Sequence, residues 1–163
     1  MKNLKFALSF FIVSLILTSC GTTKEALTYK NAINGNWNLQ SVNTDGIVGK
    51  VNVTLFNEAD YNCFAGTTWN FNERNNLGTY STNNNSTGCV GVKRNIRWSI
   101  YETKGEPKLL QFKRLDDKMN SMDNGDGYRF TIVQLDKTSM QLKSNINFEN
   151  KPASIIYNFV KVK

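Results

Sequence analysis

The chain has 163 residues, 40% of them hydrophobic and 12% aromatic, and a formal charge of +7. That length fits one domain with a real core, and the aromatic content is too high for a disordered chain. Histidine is absent, which removes His-based triads, His general bases and most zinc and haem ligand sets, while 23 asparagines favour turns and caps over long helices.

The first twenty residues read as an address. Lys2 and Lys5 precede an apolar stretch from Phe6 to Leu17, broken only by Ser9 and Ser14, and then comes Leu17-Thr18-Ser19-Cys20-Gly21. A short apolar run with basic residues before it and small residues after it is a secretory signal pattern, too short for a comfortable transmembrane helix. The Leu, two small residues, Cys and Gly resemble the lipobox of bacterial lipoproteins. That resemblance implies residues 1–19 as a signal peptide, cleavage before Cys20, a diacylglycerol thioether on Cys20 and acylation, palmitate included, of the new amine. Each buried CH₂ is worth about 0.8 kcal/mol, so two or three acyl chains hold nearly permanently. The implied location is the bacterial envelope, anchored to the outer membrane and facing the periplasm or the surface. Residues 20–32 then form the lipidated cysteine and a polar tether, with room for one helical turn from Lys24 to Asn31. The basic residues are scattered, which indicates a solvated surface and no nucleic-acid partner.

Beyond the tether the apolar residues recur with period two, the mark of strands with one buried face. Trp37 and Leu39 alternate with Asn36, Asn38 and Gln40; Val51, Val53 and Leu55 with Asn52 and Thr54; Trp69 and Phe71 with Asn70 and Asn72. A short strand over Leu77–Tyr80 follows an Asn-Asn turn. Ile96, Trp98 and Ile100 alternate with Arg97, Ser99 and Tyr101. Leu110 and Phe112 follow Pro107; Tyr128, Phe130 and Ile132 follow a Gly-Asp-Gly turn; Met140 and Leu142 precede a last run from Ala153 to Val162. The segment Phe56 to Tyr61 is the best short-helix candidate. About nine short strands with turn residues between them and no crossover helices predict an antiparallel all-β barrel or sandwich. The bulky inward aromatics lean the choice toward a barrel, whose interior is either filled or left open for one small ligand.

Gly35-Asn36-Trp37, on the first strand after the tether, is similar to the Gly-x-Trp signature of lipocalins. Two further stretches, Asn62–Asn72 continuing to Gly78-Thr79-Tyr80, and Tyr128–Leu135 continuing to Met140-Gln141-Leu142-Lys143, resemble bacterial lipocalin-like lipoproteins. The resemblance implies an up-and-down barrel of eight to nine strands over residues 33–163, with Trp37 closing its narrow end. Lipocalins often set an arginine from the last strands against that Trp; here the final strand offers only Lys161 and Lys163, which can give a cation–π contact but no stacked guanidinium.

With Cys20 assigned to lipid, Cys63 and Cys89 remain, and an even pair in an oxidising compartment usually bridges. Chemical sites fail on inspection. Asp116-Asp117 and Asp123-Asn124-Gly125-Asp126-Gly127 invite a calcium reading, but the EF-hand template fails at both ends, with Met122 at its first position and Val133 at its twelfth. Glu58, Asp60, Glu102 and Glu106 read as solvated surface. No serine sits in a nucleophile elbow, so the expectation is no enzyme, no cofactor and no metal. Lys93, Arg94, Arg97, Trp98 and Tyr101 read as a solvated face over a core face.

Two functions follow. The first is a membrane-anchored monomer holding a small hydrophobic ligand in its barrel, with Trp69, Phe71, Trp98, Ile100, Phe112, Tyr128 and Phe130 as candidate lining residues. The second is a filled barrel serving as an interaction or structural lipoprotein of the envelope, touching a partner through loops such as 83–88 or 118–127.

Overall fold

The structure is a computed structural model that describes residues 22–47, 49, 51–83 and 87–163. Cys20 and the lipobox-like pattern around it lie outside the described residues. Helix α1 (Lys24–Ile33) leads into strands β1 (Gly35–Asp45), β2 (Thr54–Leu55), β3 (Ala59–Asp60), β4 (Thr67–Asn72) and β5 (Leu77–Ser81). Strands β6 (Lys93–Tyr101), β7 (Leu109–Leu115), β8 (Tyr128–Leu135), β9 (Ser139–Phe148) and β10 (Lys151–Lys161) complete the chain. Eight of these, β1 and β4 to β10, close into one antiparallel barrel in up-and-down order, with β1 pairing β4 on one side and β10 on the other. β2 and β3 form a separate two-stranded hairpin in the connection between β1 and β4.

Local chemistry explains the turns. Between β9 and β10, Glu149 and Asn150 both take positive φ (50° and 61°), the two-residue turn whose twist matches antiparallel strands. Between β8 and β9, Asp136 Oδ1 accepts from the amides of Thr138 and Ser139, each at 2.8 Å, and so closes an Asx turn.

In the barrel strands the alternation carries the inward faces as the sequence predicts, whereas Val51 and Val53, read on the same pattern, lie in no strand and only Thr54–Leu55 pairs. Trp37, Trp69, Phe71, Trp98, Phe112 and Phe130 are all buried and belong to one continuous core. Arg97, Ser99 and Tyr101 stand on the outer face of β6, opposite Ile96 and Trp98.

Two local expectations are overturned. The tether segment with room for one turn is a ten-residue helix from Lys24 to Ile33, N-capped by Thr23, whose side chain accepts from the Ala26 amide. It buries Ala26 and Ile33, and Glu25, Lys30 and Thr23 tie it to Lys108, Asn76 and Glu102. Tertiary packing, not propensity, stabilises so short a helix. The Phe56–Tyr61 helix does not form. Phe56 (φ 55°) and Asn57 (φ 51°) sit in the left-handed region at the tip of the β2–β3 hairpin, and a 3-10 turn over Tyr61–Cys63 follows. An isolated six-residue helix has little to hold it, whereas the hairpin places Phe56 inside the barrel.

Candidate functional site: a plugged barrel with a charged latch

One barrel end is closed from below the core. Gly35 takes φ +116°, which turns the chain from α1 into β1, and a Cβ there would lie 3.3 Å from Lys161 Cε. Trp37 then buries completely, its indole N–H donating to Ile33 O at 2.7 Å. Lys161 Nζ lies 5.0 Å from the Trp37 ring and donates to Ala32 O at 2.9 Å. The single lysine thus supplies the cation–π contact and also ties β10 to the last turn of α1.

The other end is closed by the β2–β3 hairpin. Phe56, 5% exposed, reaches the barrel axis and meets seven aromatic rings: Phe64, Trp69, Tyr80, Phe112, Tyr128, Phe130 and Tyr157, with centroids 5.1–6.2 Å away. Most of these pairs are edge-to-face or tilted, the arrangement the ring quadrupole favours. A bulky residue with positive φ costs roughly 1–2 kcal/mol of backbone strain, and it persists here because burial of the ring outweighs it.

Beside Phe56, Glu58 latches the hairpin. Arg94 and Arg114 stand in phase with the inward residues of β6 and β7, so both guanidiniums enter the barrel mouth. Arg94 grips Glu58 through Nε and Nη2 at 2.8 and 2.7 Å, and Arg114 Nη1 reaches the same carboxylate at 2.6 Å. The other edge of Arg114 holds Asp123 bidentately at 2.7 and 2.5 Å. Tyr80 and Tyr128 donate to Glu58 and Asp123, each at 3.2 Å. Two cations thus meet two anions, with the side chains of Arg114, Glu58 and Asp123 only 6%, 10% and 11% exposed. The Arg94 guanidinium holds Glu58 below the usual carboxylate range, and Arg114 does the same for Asp123. Burial pushes the phenols of Tyr80 and Tyr128 up, so they donate as neutral groups.

The reading of Glu58 as solvated surface is therefore corrected: it is the buried half of an ion pair. Glu102 is corrected likewise, with a side chain only 16% exposed and held by Lys108 at 3.2 Å. Asp123, weighed as a calcium ligand, is spent on Arg114, and no group of three or more Cys, Asp or Glu residues that could hold a metal occurs among the described residues. A signal for the latch was present in the strands. Arg94 is in phase with Ile96 and Trp98, and Arg114 with Leu110 and Phe112, and a cation on an inward face requires a carboxylate from elsewhere.

Of the candidate lining residues, Trp69, Phe71, Trp98, Phe112 and Phe130 are 0–3% exposed, and Ile100 and Tyr128 are partly buried against the same core. Trp69, Phe112, Tyr128 and Phe130 surround Phe56, whereas Phe71 packs on Trp69 and Trp98 elsewhere in the same core. Trp69 Nε1 has no acceptor among the described residues. Two cavities lie on the outside. One, of about 730 Å³, runs over the outer face of β6–β8; the other, of about 290 Å³, lies between α1 and β8.

Cys63 and Cys89 are disulfide-bonded. The bridge ties the 3-10 turn after the hairpin to the loop before β6, where Asn83 N donates to Cys63 O at 2.8 Å.

A crystal structure of a lipocalin-like protein from Bacteroides uniformis ATCC 8492 aligns with a TM-score of 0.46 and 14% identity, over 80% of this chain and 99% of that one. No curated protein matches the chain. Residues 33–142 match the model of the lipocalin-like domain, which spans the Gly-x-Trp strand, the plug hairpin and the barrel through β8. The chain belongs to the lipocalin-like domain family.

Proposed function

We propose that this chain is a non-catalytic, lipid-anchored lipocalin-like protein of the bacterial envelope whose barrel is a closed scaffold acting through its outer wall and loops. One observation carries the reading: Phe56 occupies the barrel axis against seven rings, where a carrier of this fold would place its ligand. The Glu58 latch supports it, because withdrawing the hairpin would leave Arg94 and Arg114 without their shared partner. The anchor rests on the Cys20 lipobox pattern.

A second reading has its own support. The hairpin tip carries two strained residues, β2 and β3 are two residues each, and the buried Trp69 indole N–H has no acceptor among the described residues. A small hydrophobic molecule that displaced Phe56 would find apolar walls and that one donor.

Native mass spectrometry and organic extraction of the protein purified from its own envelope separate the two. The closed scaffold gives the mass of the acylated chain and no extractable small molecule in stoichiometric amount. A stoichiometric apolar molecule, released together with exposure of the hairpin to protease, would replace the first reading with the second. Metabolic labelling with a palmitate analogue, abolished by Cys20→Ser, tests the anchor.

A further inference from the structure

The two faces of the β6–β7 wall treat their cations differently. On the inner face Arg94 and Arg114 are neutralised by Glu58 and Asp123. On the outer face Arg97 and Lys113 are placed directly opposite one another, and among the described residues neither has an ion-pair partner. Like charges directly opposite on neighbouring antiparallel strands destabilise the sheet. Next to them, Arg129 is held in place: its guanidinium lies 4.9 Å over the ring of Tyr101, and its Nε donates to Gln111 Oε1 at 3.2 Å. Gln111 in turn donates to Ser99 Oγ at 2.8 Å.

Arg97, Ser99, Gln111, Lys113 and Arg129 line the groove of about 730 Å³, a volume in the range that takes a small molecule. Its cations are Arg97, Lys113 and Arg129, and its acid is Asp126, on the loop before β8. β5 begins only at the level of Arg97, and the β7–β8 ladder runs only from Leu109 to Phe112, so the strand ends at Asn76 and at Gly125–Gly127 form the rims. An excess of positive charge in a concave site focuses anions. Two guanidiniums offer paired N–H groups suited to a phosphate or carboxylate, and the lysine adds a point charge.

We propose that this outer groove binds an oxyanion-bearing molecule, with Arg97, Lys113 and Arg129 as its ligands to a phosphate or carboxylate group. The site is on the opposite face of the wall from the plug, so it stands whether or not the barrel opens. The anion relieves the repulsion between Arg97 and Lys113, which accounts for a charge pair that the fold alone disfavours.

The test uses the whole protein with inorganic pyrophosphate, citrate and vesicles of phosphatidylglycerol, read by calorimetry and by the amide shifts of residues 97–99, 111–113 and 127–129. The Arg97→Gln/Lys113→Gln double variant is compared with a charge-matched control, Lys104→Gln/Lys137→Gln, at exposed turns. The expected result is saturable binding at physiological salt that the double variant weakens at least about tenfold and the control leaves unchanged. Loss of the soluble-anion response identifies a free ligand, whereas vesicle binding alone, lost in the same variant, identifies a lipid headgroup. The double variant should also be at least as resistant to urea as the parent. The proposal is overturned by equal loss in both variants, which is bulk charge only, by no binding to any probe, or by a destabilised double variant, which would make the pair structural.

Discussion

Replacing Phe56 by alanine tests the packing of the plug more sharply than any other single change. Phe56 is 5% exposed and touches seven rings, so its loss removes a full buried side chain with no neighbour free to follow it. The transfer of the ring back to water costs roughly 2 kcal/mol. A ring-sized void on the order of 100 Å³, at about 24 cal/mol per Å³, adds about 2 more. Alanine keeps the strained φ of 55°, so nothing is recovered, and the total is about 4 kcal/mol. Glycine at the same position relieves the left-handed strain and should cost about 1 kcal/mol less than alanine. Urea unfolding with the Cys63–Cys89 bridge intact measures both, and titration with benzene or indole asks whether the void takes an apolar guest. The parent should bind neither, and Phe56→Ala should bind at least one. A loss below about 1 kcal/mol, or equal guest binding by the parent, would refute the claim that Phe56 is the core of a closed barrel.

Three further outcomes follow from the same contacts. Glu58→Gln leaves Arg94 and Arg114 without their shared carboxylate and should cost about 3 kcal/mol, measured by urea midpoint, with faster amide exchange at Leu55 and Ala59. Glu58 and Asp123 both have folded pKa values below the ordinary carboxylate range, so their stabilisation is complete above the unfolded values near about 4 and is lost as pH falls through the folded ones. Stability should therefore hold between pH of about 7 and 5 and drop below about 4, with a shallower drop in the Glu58→Gln/Asp123→Asn variant. Reducing Cys63–Cys89, which are 26 residues apart, should cost about 3–4 kcal/mol by the chain-entropy account, seen as a lower thermal midpoint in dithiothreitol.

The barrel walls were legible because each strand carries its own evidence. Trp69 and Phe71, Ile96 and Trp98, and Leu110 and Phe112 alternate with polar residues over a few positions, and that period alone settles which way each side chain points. The disulfide was legible as an expectation, because an exported chain with Cys20 set aside would leave one even pair, Cys63 and Cys89, which the structure bridges. The plug was not, because its reason lies far away in the chain. Glu58 finds Arg94 and Arg114, 36 and 56 residues on, and no local pattern distinguishes such a glutamate from a solvated one. Phe56 in the left-handed region is the choice a local reading disfavours most, and only the ring cage of a closed barrel reverses it. Choosing barrel over sandwich had the same difficulty, since it depends on whether β1 reaches both β4 and β10.

Closure of the barrel around Phe56 can be read from ring-to-ring nuclear Overhauser effects in the full protein, with labelled Phe and Tyr. A closed barrel gives strong contacts from the Phe56 ring to Phe112, Tyr128 and Tyr157, unchanged when oleate is added. Missing Phe56 contacts in the free protein, or their disappearance on adding oleate with new contacts from the fatty acid to Trp69 and Phe112, would contradict it and make the hairpin a gate.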